Sequence, residues 1–272
     1  MAIRVMSSNV WGNTPGGHIV ADRCSNLAVV FKRYKPTVLG CQEFSPLMRD
    51  SAHDLSKLIE DTYTEVIEKP ENHCQNNYTP IFYDRNKVTL GDHGYLYYSG
   101  LNDIGSKSAS WAVFTLKNCG LSFLFINTHY YWTNDEPSRE ARINNTKELT
   151  ALFDKINQRH LPTFVTGDFN CCPEEPPIIG LEEHGFKQAR FTAEEPVAPM
   201  RSCNDYPALN QDDPDKPFWK YLSEPSDMIN ESIDHIFVHG NITVKRFITV
   251  TDKESLNASD HCPIYIDAEI KR

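Results

Sequence analysis

Six apolar, strand-like runs of this chain end in residues able to hold a cation, move a proton or bind an anion. The first ends in Ser8-Asn9, the second in Gln42-Glu43, and a later one in Asn127-Thr128-His129. The run from Leu161 to Val165 leads into Thr166-Gly167-Asp168-Phe169-Asn170; Asp234 stands near the start of "SIDHIFV", and Asp260-His261 directly precede the final apolar run. Side chains alternate along a strand, so Asp168 and Asn170 are expected to point the same way. Singly, each residue has an ordinary structural reading: Asn9 holds a turn, Glu43 caps a helix, a lone histidine packs. Six such endings in one chain argue for a shared site. Glu43, Asp168 and Asp260, with the side-chain oxygens of Asn9 and Asn170, suit a hard cation such as Mg²⁺ or Mn²⁺, which keeps waters and binds phosphate oxygens. The thiolate or multi-imidazole grouping of a structural zinc site is not present. His129 and His261 supply groups that titrate near neutrality, and a carboxylate such as Asp234 beside His261 would fix its tautomer. Cation, base and carboxylate together suit attack of water on a phosphoester.

The elements that must position these residues follow from periodicity. "IRVMSSNVW" reads as a strand; Leu27, Val30, Phe31 and Tyr34 recur at helical spacing, and Pro36 stops that helix before the buried strand "TVLGCQEF". A second helix is expected near residues 46–60. Short strands follow at "YTEVIE", "TPIFYD", "KVTL", "YLYYSG", "SASWAVFTL" and "LSFLFINTHYY", the last two joined as a hairpin through Lys117-Asn118-Cys119-Gly120. Residues 138–158 form an amphipathic helix carrying Ile143, Leu149, Leu152, Phe153 and Ile156 on one side. "LPTFVTG", "SIDHIFVHG", "ITVKRFITV" and "HCPIYIDAEI" complete the strands. Residues 190–231 break the rhythm, being rich in Pro, Asp and Asn; from Asn204 to Glu231 seven acidic residues face two lysines, a net of −5 against −10 for the whole chain. A loop of that length is either a solvated insertion or a lid over a substrate.

Strands mixed with few helices, mostly in hairpin order, indicate an α+β or layered α/β sandwich. One domain is expected over residues 1–272, with the irregular acidic insertion at about 190–231. No run of about eighteen apolar residues is present to span a membrane, and "MAIRVMSSNV" lacks the basic-then-apolar pattern of a signal peptide. A cytoplasmic monomer with no membrane partner is expected. The eight cysteines contain no CxxC pair, and Cys41, Cys119 and Cys262 sit in apolar runs where small buried thiols are ordinary. With 27 basic and 37 acidic residues the surface is poorly suited to holding a polyanion, although a local groove can differ from the average.

"SSNVW", "QE", "NTHY", "GDFN", "SIDHIFV" and "SDHCPI", in this order, resemble the endonuclease/exonuclease/phosphatase superfamily, and the resemblance spans residues 3 to 269. It implies a four-layer sandwich of two mainly antiparallel sheets packed face to face, with helices on the outer faces. It also implies a Mg²⁺-dependent phosphoesterase, with Mn²⁺ as a substitute. Glu43 then corresponds to the metal-ligating glutamate, Asn9 to a metal or phosphate contact, and Asp260 to the metal-side aspartate. Asp168 matches the residue that orients or deprotonates the attacking water, Asn170 one that hydrogen-bonds the phosphate, and His261 the histidine facing the phosphate, oriented by Asp234. His129 matches a histidine that stabilises or protonates the leaving oxygen. Where many relatives carry an arginine, this chain has Lys107, which keeps the charge and loses the bidentate fork. Asn77 and Tyr78 stand where relatives often place a substrate-facing polar group. The aromatics of "YYWTNDEP" are expected either near the mouth, against a base, sugar or lipid, or packed beneath the next helix.

A phosphodiesterase or phosphatase acting on a modest-sized phosphoester fits the polar set together with the acidic insertion. A nuclease on DNA or RNA needs a basic track beside the cleft. A binding protein without chemistry is disfavoured because no member of the polar set is missing, and no long apolar hairpin marks a lipid phosphodiesterase.

Overall fold

The computed structural model of the chain describes residues 2–13, 20–50, 53–67, 76–103, 105–197, 201–203 and 232–271. Most of the expected insertion, residues 198–200 and 204–231, lies outside them. Two six-stranded sheets form the centre. The first runs in the order β11 (Ile242–Thr249), β12 (Ile264–Ile270), β1 (Ala2–Asn9), β2 (Val38–Gln42), β4 (Ile81–Asp84), β3 (Tyr63–Glu65). The second runs β5 (Val88–Tyr97), β6 (Ser108–Leu116), β7 (Ser122–His129), β8 (Thr163–Asp168), β10 (Asp234–His239), β9 (Lys187–Gln188). All neighbours are antiparallel except β1 with β2 and β7 with β8. A parallel pair needs a crossover, and here helices α1 (Val20–Tyr34) and α3 (Glu136–Ile156) supply it.

Three apolar clusters make this a four-layer sandwich. Val5, Val38, Phe114, Phe125, Phe164, Ile236 and Ile266 fill the space between the sheets. Leu27, Val30 and Phe31 of α1 pack on Met6, Leu39 and Cys41 at the outer face of the first sheet. Leu149 and Phe153 of α3, with Ile178 and Leu181 of α4 (Pro176–Glu183), cover Leu124, Ile126, Val165 and Phe237 on the second.

Where the elements depart from expectation, local chemistry gives the reason. The helix expected near 46–60 is instead a 3-10 turn, Pro46–Arg49, and a four-residue helix α2, Leu55–Leu58. The Ser45 hydroxyl accepts the Leu47 N–H (3.2 Å), and the Asp54 carboxylate accepts the Ser56 N–H (2.9 Å), so each short side chain starts a separate element. The expected strands "KVTL" and "YLYYSG" are one strand, β5, whose register to β6 shifts between Leu90 and His93; the irregularity at Gly91-Asp92 breaks the alternation that would have shown its continuity. The helix α4 was not expected from the sequence.

The inward series along each central strand changes from apolar to polar toward one end. On β8, Phe164 joins the inter-sheet core, Thr166 bonds the Asn127 side chain, and Asp168 ends the strand. The inner face of β7 reads Phe125, Asn127, His129; of β1, Val5, Ser7, Asn9; of β2, Val38, Gly40, Gln42. Because β1–β2 and β7–β8 are parallel, their polar ends come side by side, with Asn9 opposite Gln42 and His129 opposite Asp168. The site is the polar end of the core between the sheets.

Candidate active site

Below the site, a buried polar joint ties the sheets together. Gln42 Nε2 donates to Asn127 Oδ1 (2.5 Å) and Ser7 Oγ (3.1 Å), while Asn127 Nδ2 donates to the Cys41 carbonyl (2.6 Å). Gln42 and Asn127 are thus struts beneath the site. Glycine at position 40 makes room for them, since a Cβ there would stand 2.3 Å from Asn127 Oδ1 and 2.5 Å from Thr166 Oγ1.

Asp168 occupies the centre. Its Oδ1 accepts the Asn170 N–H (2.9 Å) and its Oδ2 accepts from Asn9 Nδ2 (2.9 Å). The same Oδ2 lies 3.5 Å from His129 Nε2 and 3.9 Å from His261 Nε2. Burial, reinforced by the nearby Asp234 charge, pushes this carboxyl up to about 7, against the pull of His261. Asn9 also donates to Glu43 Oε1 (3.1 Å), and its own oxygen takes the Trp11 N–H (2.9 Å), so its amide NH₂ bridges the two carboxylates. Glu43 stands just past β2 with φ 56°, and Asn170 just past β8 with φ 49°. A left-handed conformation is uncommon for a glutamate, whereas asparagine adopts it more readily; non-glycine residues held there cluster at functional sites. Asn170 does lie on the same side as Asp168, but the turn places it there and not strand alternation: its Nδ2 donates to the Tyr130 carbonyl (3.1 Å) and approaches His129 Nε2 (3.4 Å).

The two histidines are shifted in opposite directions. His261 Nδ1 donates to Asp234 Oδ2 at 2.7 Å. Its burial favours the neutral ring, but the charges of Asp234, Asp260 and Asp168 together outweigh that and hold its pKa well above the usual imidazole range. Ser259 fixes the loop carrying it, donating to the Asn9 carbonyl (2.7 Å) and accepting the His261 N–H (3.1 Å). His129 is driven well below the usual range by burial, by Lys107 and by His261. Lys107 Nζ lies 2.9 Å from His129 Nε2 and is 4% exposed; burial lowers its pKa while Glu43, Asp168 and Asp103 oppose the shift.

Two groups bring potential ligand atoms within 4.8 Å of one another among the described residues: Glu43 with His129 and Asp168, and Asp168 with Asp234 and His261. Asp260 falls outside both groups, yet burial followed by the Glu43 charge acts to raise its carboxyl, which His261 partly offsets, leaving it at about 6. A cavity of about 430 Å³ opens over Glu43, Lys107 and His129 and is bounded by Tyr78, Asp103 and Trp132. Of the two residues expected to face substrate, Tyr78 reaches this cavity. Asn77 does not line it: its amide is bonded to Ser110 Oγ (3.0 Å) and the Thr79 N–H (2.8 Å), where it holds neighbouring chain segments together. Asp103 carried no motif in the sequence, and only the loop between β5 and β6 brings it to the mouth.

The Endonuclease/Exonuclease/phosphatase family model matches residues 6–261. No curated protein matches the sequence. Among solved structures, an endonuclease/exonuclease/phosphatase family protein from Bacteroides thetaiotaomicron is 22% identical with a TM-score of 0.78, over 100% of this chain and 99% of that one. A mannosyl-6-phosphatase of Bacteroides thetaiotaomicron is 20% identical with a TM-score of 0.79, over 98% and 100% of the two chains. The D. rerio TDP2 structure, a complex with single-strand DNA product, is 18% identical with a TM-score of 0.70, over 98% and 99%. At these identities the likeness to the solved structures is one of fold.

Proposed function

Because the chain belongs to the endonuclease/exonuclease/phosphatase family, we propose that it is a divalent-cation-dependent hydrolase of phosphoester bonds acting on a substrate of modest size. The observation that carries this reading is Asp168, a buried carboxylate hydrogen-bonded by Asn9 and by the Asn170 N–H and set between the two histidines. A carboxylate so positioned can take a proton from water. Asp168 therefore orients and deprotonates the attacking water, with Asn9 fixing one oxygen and the Asn170 N–H the other.

His261, kept charged by Asp234, faces the negative charge that grows on the phosphoryl oxygens. Lys107 adds a second buried cation, and the Asn170 amide a hydrogen-bond donor to the same oxygens. His129, held neutral, serves the leaving oxygen. Glu43 and Asp260 are the candidates to hold Mg²⁺ or Mn²⁺. Both offer hard oxygen donors, and neither has a lysine or arginine within salt-bridge distance among the described residues. A cation bound there would neutralise phosphate charge and polarise the ester.

The test is hydrolysis of p-nitrophenyl phosphate and bis(p-nitrophenyl) phosphate with Mg²⁺, with chelator, and by Glu43→Gln and His261→Ala. We expect metal-dependent cleavage, lost with chelator and reduced in both variants, with the preferred ester separating phosphatase from phosphodiesterase. Activity that survives both chelator and the two substitutions overturns the assignment.

A further inference from the structure

We propose that Trp132 and Asp103 form a platform for the alcohol half of the substrate, and that this half is a polyhydroxylated ring, making the substrate a sugar phosphate. The inference rests on the phosphoesterase reading for the phosphate end. Of the three aromatics that follow His129, Tyr130 is fully buried against Tyr98 and Phe169, as a packing residue should be. Trp132 is 58% exposed, although burying an indole against the nearby α3 would remove a large apolar area from water. Its edge is nonetheless fixed: Nε1 donates to Asp103 Oδ2 at 2.7 Å, while Tyr131 Oη donates to Asp103 Oδ1 at 3.2 Å. No ring stacks on Trp132 among the described residues, so the indole is oriented by its edge and keeps most of its surface exposed.

Trp132 and Asp103 line the same cavity as Glu43, Lys107 and His129. Lys107 supplies the cation suited to phosphate. The same lining carries Asp103, whose carboxylate oxygens each keep a lone pair for a hydroxyl, together with Asn13 and Ser45. An apolar ring face beside short hydrogen-bonding groups suits the alternating C–H and O–H surface of a sugar. A second phosphate or a nucleic-acid strand would meet the Asp103 charge. The cavity of about 430 Å³ is of the size that holds one small ligand.

The experiment measures Mg²⁺-supported hydrolysis of glucose 6-phosphate, mannose 6-phosphate, glycerol 3-phosphate and adenosine 5′-monophosphate by the wild type, Trp132→Ala and Trp132→Phe. We expect the wild type to prefer a hexose phosphate over glycerol phosphate. That kcat/KM ratio should fall about tenfold in Trp132→Ala, mainly through KM, and be largely restored in Trp132→Phe, which keeps an aromatic face. A ratio that Trp132→Ala leaves unchanged, or a preference for the nucleotide, overturns the platform. If Trp132→Ala does not fold, Asp103→Asn replaces it, with the same expected fall in the ratio. If no ester is hydrolysed, the phosphoesterase reading fails separately, and calorimetric titration with the hexose phosphates decides the platform. Binding about tenfold weaker in Trp132→Ala than in the wild type supports it; equal or absent binding overturns it.

Discussion

Asp234 and His235 are neighbours on β10 that face opposite ways. Asp234 points between the sheets and pairs with His261, so Asp234→Asn removes the charge that keeps this imidazole protonated. We predict a fall in kcat/KM of roughly 10²–10⁴, with the pH dependence on the His261 limb displaced toward acid. His235 points outward into a cage of Phe169 and Phe237, with Nε2 donating to the Cys171 carbonyl at 2.8 Å, and burial lowers its pKa from 6.5 to about 4. Its folded pKa is below the unfolded one, so between these values the unfolded chain binds the extra proton. Its contribution is therefore full above pH 6.5 and is lost as pH falls toward about 4, a change of about 3 kcal/mol. Denaturant unfolding across this window should show a shallower acid loss for His235→Phe than for the wild type. Parallel slopes would contradict it. The sequence showed both residues in one "SIDHIFV" run, and strand alternation alone put them on opposite faces. It did not show which face was the site, because that depends on which sheet each strand joins.

At the scale of elements, the site depends on two parallel strand pairs and on the polar joint between them. Gly40 lies where a methyl group would press on Asn127 and Thr166, both held in that buried network. Gly40→Ala should cost about 1–3 kcal/mol by overpacking, read as a lower denaturation midpoint with an unchanged m-value, and should lower activity through displacement of the adjoining Asn9–Glu43 edge. Unchanged stability would mean that the joint yields easily. Most strands were legible from their alternation, since each buries one face or both. Their partners were not: β7 pairs with β8 across the whole of α3, and β1 with β12 across nearly the whole chain, and such non-local pairings leave no trace in local periodicity. The same limit explains Gln42 and Asn127. At a strand end they read like site residues, but two layers of neighbours turn them into supports.

Across the whole molecule, the formal charge of −10 and the Asp103 carboxylate at the mouth oppose a polyanion. Turnover of a small phosphoester should change little between about 50 and 200 mM salt, whereas a nuclease holding 6–10 phosphates would lose about 10³–10⁵ in affinity. A steep loss of activity over that range would favour nucleic acid as substrate. The acid–base set was readable in the sequence because its members end strands as short motifs. Trp132 and Asp103 were not readable as a pair, because they come from different loops and meet only once both sheets are formed. The most direct test of the account is kcat/KM for Asp168→Asn against wild type, on whichever nitrophenyl ester the wild type prefers, with Mg²⁺ and with both proteins shown to be folded. A loss of roughly 10²–10⁴ is expected, because the amide keeps the shape of the site but cannot take a proton from water. Activity within a few-fold of wild type would contradict the central place given to Asp168.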